Sequence, residues 1–184
     1  ENTLPTDQES PPVLSLKGKK NGEEFHFKIK SDPYYASNDI YEENGIRIYE
    51  FSINDVNNPG NKYFEVHLNN HKYPAGDLNE DLKATVVEKG YEYSNYFTPT
   101  DTQRLNKIDI GWYESNTQYY SSMYTMQYGS SFEILGVSGK TYNGYLYREA
   151  EVAFDCNLIN PYKMDTIKLT DVSGKIVFRG GPVQ

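Results

Sequence analysis

Polar and apolar residues alternate most strictly from Tyr145 to Leu158, YLYREAEVAFDCNL. Leu146, Ala150, Val152, Phe154, Cys156 and Leu158 share one phase, and Tyr147, Glu149, Glu151, Asp155 and Asn157 the other. Side chains alternate faces along an extended chain, so this stretch predicts a strand with a dry and a wet face. Its length predicts a bend or bulge. Asn143-Gly144 just before it is a tight-hairpin signal.

The same period recurs elsewhere. Val13 to Lys17 and Glu24 to Lys30, the latter with Phe25, Phe27 and Ile29 in phase, predict a hairpin around Asn21-Gly22. Ile46 to Asn54 shifts phase, which implies a bulge or burial on both faces. Asn57 to Gly60 reads as a turn, with Tyr63 to Asn69 as the returning strand. Ile108, Ile110 and Trp112 mark the next strand, followed by Tyr119 to Tyr128 and Ser131 to Val137. Thr166 to Thr170 and Lys175 to Arg179 read as a last hairpin, joined by Asp171-Val172-Ser173-Gly174. Asp81 to Lys89 is ambiguous: Asp77 and Asn79 are helix-capping types, but Ala84-Thr85-Val86-Val87 is β-prone, and a strand is expected. Ser31 to Asn44 and Gly90 to Arg104 read as loops.

About ten short strands with glycine-centred turns give an all-β chain, an antiparallel β-sandwich in a meander, with a lipocalin-like closed barrel as the alternative. Residues 1–12 are polar and proline-containing and read as a linker to a single β domain over 13–184. The 184 residues suffice for one sizeable core. A mean hydropathy of -0.76 would suit disorder, but 18 tyrosines and a 15% aromatic fraction do not. The net charge of -8, with no basic cluster, repels phosphate backbones, so no nucleic-acid partner is expected. No apolar run approaches the roughly 20 residues that cross a bilayer as a helix.

Catalytic and metal motifs fail on inspection. Gly136 to Thr141 ends in GKT, but a phosphate loop needs glycine where Ile134 stands, so a β-turn is expected. His67 and His71 would lie roughly 13 Å apart in extended chain, too far for one metal. Asp77 to Asp81 resembles half a calcium loop, but Leu82 replaces its glycine. Glu149 and Glu151 are neighbours on one strand face, where solvation is their expected role, and Cys156 is expected to be an inert core thiol. No catalytic residue, metal or cofactor is therefore expected.

Two features could serve a ligand. Arg148 interrupts the dry face, either snorkelling to water or meeting an anion at a barrel mouth. Trp112, Tyr113, Tyr119, Tyr120, Tyr124 and Tyr128 crowd two successive strands, and Tyr142, Tyr145 and Tyr147 follow. Such rings form cross-strand ladders or an exposed binding surface, on which sugars stack.

The polar leader, the opening LSLKGKKNGEEFHFKI and the closing YREAEVAFDCNL and IKLTDVSGKIVF together resemble small exported lipoproteins of Bacteroidetes. The resemblance implies an all-β cell-envelope protein, exported to the outer membrane, cell surface or periplasm. Any lipid anchor would lie upstream of Glu1. Three functions follow as expectations: a non-enzymatic domain binding a glycan through the Trp112 to Tyr128 aromatics, with Arg148; a structural or adhesive protein contacting other envelope proteins; or a lipocalin-like carrier.

Overall fold

The computed structural model describes residues 14–29, 34–43, 45–58, 60–70, 77–94, 107–115 and 117–183. The expected linker over residues 1–12, His71, Pro59 and most of the expected loop up to Arg104 lie outside them. The chain is all-β, with eleven strands and one short α-helix among the described residues. The strands are β1 (Ser15–Lys20), β2 (Glu23–Lys28), β3 (Tyr34–Glu43), β4 (Ile46–Asp55), β5 (Lys62–Asn70), β6 (Lys89–Tyr93), β7 (Lys107–Ser115), β8 (Gln118–Ser121), β9 (Ser131–Tyr142), β10 (Tyr145–Ile159) and β11 (Thr166–Pro182); the helix, α1 (Leu78–Thr85), lies between β5 and β6.

All strands join one sheet in the order β2-β1-β11-β10-β9-β6-β7-β5-β4-β3, with β8 bridging β7 and β10. Every pairing is antiparallel except the short parallel contact of β6 with β7, which a pure meander does not contain. The sheet folds across itself so that its two halves face each other. Phe64 of β5 stacks on Phe154 of β10 at 6.2 Å, and Phe154 on Phe132 of β9 at 5.3 Å. The alternative, a closed barrel, does not form: among the described residues no ladder joins the end strands β2 and β3, which meet through Phe27 and Tyr34 rings at 5.1 Å. Aromatic rings, among them Phe27, Phe64, Trp112, Phe132 and Phe154, pack in the core between the two halves.

The long strands bend where their ladders slip. β10 has 15 residues and β11 has 17. Register shifts occur between Phe154 and Cys156 of β10 and between Lys17 and Lys19 of β1, both opposite Asp171 and its neighbours. Asp171 has φ 54°, a left-handed conformation that Asp tolerates, and its N–H donates to Asp155 Oδ1 at 2.7 Å. The Asp171 to Gly174 segment is therefore a bulge inside one continuous strand, and the expected terminal hairpin is absent. Turn-forming residues serve both structures, and the pattern alone does not separate them. Gly136 to Thr141 is likewise an interior part of β9, with a register shift beside Gly136, and not a turn. True hairpin turns form at Asn21-Gly22 and Asn143-Gly144, where all four residues have positive φ.

Three further expectations are corrected. Tyr34–Glu43 is strand β3, not loop, because the edge of a sheet accepts a half-exposed polar sequence. Lys89–Tyr93 is likewise a strand. Leu78–Thr85 is helix, started by the Asp77 side chain accepting the Asn79 N–H at 2.8 Å. The β-prone residues that suggested a strand begin at its last turn and continue past it. Leu82 and Val86 are fully buried, so α1 plugs one end of the fold. Asn79 pins it to the end of β11, accepting from Gly181 N–H at 2.8 Å and donating to Pro182 O at 3.1 Å. Asp81 accepts from Arg47 at 2.8 Å and from the Tyr49 hydroxyl at 2.7 Å, tying the helix to β4.

Candidate functional site

The pleat splits the expected aromatic stripe. Trp112 and Tyr120, paired across β7 and β8, point inward and are 7% and 8% exposed. Trp112 packs edge-on against Phe25 at 5.1 Å and lies 5.5 Å from Phe27. Tyr113 and Tyr119 face the other way, half-buried, with rings 4.8 Å apart. Tyr124 sits in a short 3-10 turn, Ser122–Tyr124, because the expected strand to Tyr128 ends at Ser121. Tyr128 is 80% exposed in the loop beyond. These six rings do not form one exposed patch.

Arg148 projects toward α1 and donates to Val86 O at 3.1 Å, just past the helix C-terminus, where unpaired carbonyls favour a cation. It is a clasp for the helix. Arg148→Met is expected to lower stability by about 1–2 kcal/mol in urea melts and to leave any ligand affinity unchanged. Cys156 is buried, and burial pushes its thiol well above the ordinary range, which keeps it protonated and inert. Glu149 accepts from Ser138 at 3.3 Å and pairs with Lys140 at 3.2 Å, so it is more engaged than a solvated strand residue, while Glu151 is exposed. Asp77 and Asp81 serve the helix instead of a calcium loop.

Two arrangements remain that could act chemically. The first lies on the outer face of β4, β5 and β7, where β4 is buried on both sides. Register sets Glu50 beside His67, His67 beside Asp109, and Glu65 beside Gly111. Lys62 Nζ donates to Glu50 at 2.5 Å and Glu65 at 3.0 Å; His67 Nε2 lies 3.4 Å and 3.7 Å from the same carboxylates. Gly111 makes room: a Cβ there would come within 2.6 Å of Glu65 and 2.9 Å of Tyr119. Burial alone would raise the Glu50 carboxyl, but the bonds from His67 and Lys62 outweigh it and hold it at about 2. Burial would lower the His67 imidazole, but Glu50, Glu65 and Asp109 raise it. Burial and the Glu65 charge push the Tyr113 and Tyr119 hydroxyls up. Glu50, Glu65 and His67 bring three donor atoms within 4.8 Å of one another, the spread a metal needs. The Lys62 ammonium already binds both carboxylates, so a divalent ion would have to displace it. As built, the cluster is an ion-pair network. Glu65-Val66-His67 places two polar side chains on one strand face, a signal legible in the sequence, but Glu50 joins them only through the register.

The second is a groove of about 440 Å³ between the β3 edge and the last part of β11. The described part of β1 pairs with β11 only as far as Lys175, so beyond that point this side of β11 faces the groove. Tyr35 and Asn38 contribute from β3, Tyr142 from β9, Tyr147 from β10, and Val177 and Arg179 from β11. Tyr147 and Arg179 are cross-strand partners and so share a face. Tyr142 and Tyr147 meet edge-to-face at 6.3 Å, and Arg179 lies 5.3 Å above the Tyr145 ring. The hairpin at Asn143-Gly144 thus delivers three tyrosines to one place. The sequence does not single out Arg179, which only ends the expected hairpin strand from Lys175.

No family model, no curated protein and no solved structure matches the chain.

Proposed function

We propose that this chain is a non-catalytic, exported cell-envelope domain that binds a glycan in the groove between β3 and β11. The observation that carries the reading is that Tyr35, Tyr142 and Tyr147 line one open groove together with polar Asn38, the last two tyrosines meeting edge-to-face at 6.3 Å. Flat rings bury sugar faces at low entropic cost, and amide and hydroxyl groups orient ring hydroxyls. The binding surface is thereby moved from the Trp112 to Tyr128 stripe to the β9-β10 hairpin. The polar cluster on β4 and β5 supports a non-catalytic reading, since its ionisable groups are tied to one another in ion pairs.

Glycan-array screening of the whole chain followed by calorimetry tests the proposal. Tyr147→Ala is expected to weaken any saccharide hit about tenfold or more, one stacking contact's worth. A hit unaffected by Tyr147→Ala and Tyr142→Ala would refute it.

An adhesive role has its own support. Tyr162 is 92% exposed, Met164 68% and Tyr128 80%, the last in a loop that Gln127 ties to β10 through the Asn157 backbone at 2.7 and 3.0 Å. Self-association abolished by Tyr128→Ser with Tyr162→Ser would favour that role.

A further inference from the structure

Resting on the groove as a saccharide site, we infer that its ligand is an acidic glycan whose carboxylate is read by Arg179. The three described arginines are in different states. Arg47 is bonded to Asp81, and Arg148 to the carbonyl of Val86. The Nε atoms of all three are buried without a partner, but Arg179 alone has no hydrogen bond or ion pair through its other guanidinium nitrogens among the described residues. A guanidinium left unpaired at a partly buried position costs stability, so its retention calls for a partner from outside the fold.

The surroundings narrow that partner. Arg179 is the one charged side chain among the described residues lining the groove, and none of those residues neutralises it. The nearest acid on the same face of β10, Glu149, pairs with Lys140 at 3.2 Å. The Tyr145 ring at 5.3 Å supports the flat face of the guanidinium, a stacking that leaves its edge N–H donors free. Those donors form a fork that matches the two oxygens of a carboxylate. Asn38 Oδ1 is also buried without a partner, an acceptor for a sugar hydroxyl in the same groove. A nucleic acid would satisfy the fork as well, but one arginine on a chain of net charge -8 cannot hold a phosphate backbone. A single carboxylate per bound residue is what one fork can read.

Calorimetry with paired uronate oligosaccharides tests this: oligogalacturonide and alginate fragments, each beside its methyl-esterified or carboxyl-reduced form. The free acid is expected to bind about tenfold tighter than its neutral partner. Arg179→Gln should bring the free acid down to the affinity of the neutral form, with an unchanged far-ultraviolet circular dichroism spectrum showing that the variant is folded. Arg179→Lys should retain part of it, since an ammonium keeps the charge but loses the fork. Equal affinity for acid and neutral forms would overturn the carboxylate assignment and leave the saccharide groove standing. Binding by neither form, or a preference that survives Arg179→Gln, would overturn it too, the former together with the groove itself.

Discussion

Asp81→Ala is expected to lower the unfolding free energy by about 3–5 kcal/mol, the largest single-site effect in the fold. Asp81 and Arg47 are both nearly fully buried and meet at 2.8 Å. Removing the carboxylate leaves the Arg47 guanidinium in the interior with Glu42 at 3.7 Å, a partner that is itself 43% exposed. The Tyr49 hydroxyl, in a side chain 1% exposed, loses its 2.7 Å acceptor as well. For a chain of this size the loss corresponds to roughly a 10 °C fall in Tm. The double variant Arg47→Met with Asp81→Ala should be more stable than Asp81→Ala alone, because it removes the buried guanidinium that has lost its 2.8 Å carboxylate partner. Urea melts of the four chains in the cycle provide the check. A fall below about 1 kcal/mol for Asp81→Ala would mean that α1 is not held to β4 through this pair.

The second large effect is on stability against pH, and the Glu50 cluster controls it. Glu50 is held at about 2 against an ordinary 4.5, so its contribution is complete above pH 4.5 and is lost as pH falls toward 2. At about 1.4 kcal/mol per pH unit of displacement, the loss is about 3 kcal/mol. His67 shifts the opposite way. Its raised value means that its contribution is complete below pH 6.5 and disappears as pH rises through the folded-state value. Lys62, Glu65 and Asp109 face the same imidazole region, with the Tyr41 ring 6.2 Å away, and set its sign by two acids near it beyond Glu50. The pair therefore places maximum stability between about pH 4.5 and 6.5. Denaturant midpoints measured across pH should show both limbs, and Glu50→Gln should flatten the acid limb. An acid limb that is unchanged in Glu50→Gln would assign it to other carboxylates.

The long strand β10 was legible because its alternation is strict, and the Asn-Gly hairpins because Asn and Gly accept positive φ. Both are local facts that sequence encodes directly. The β3 strand was not, since Tyr34–Glu43 is half-exposed and its polar residues are also turn formers. Helix α1 was obscured by its brevity: eight residues carry barely two turns of periodicity, and the following β-prone run masks its end. Asp171 to Gly174 shows the same limit in another form, because a bulge and a hairpin turn call on the same residues. The candidate sites depend on pairing across strands. Trp112 looked available because both phases of its strand are aromatic, and only the pairing with Tyr120 shows which phase faces the core. The settings of Arg148 and Arg179 were hidden for a similar reason: α1 packs over the first, while the second lines the groove.

The groove between β3 and β11 is the central claim, and nuclear magnetic resonance mapping with a saccharide hit tests it most directly. Titration should shift the resonances of Tyr35, Tyr142, Tyr147, Val177 and Arg179 together, with one common affinity and with Trp112 and Tyr128 unmoved. Shifts confined to the Tyr128 and Tyr162 loops, or centred on Trp112, would contradict it.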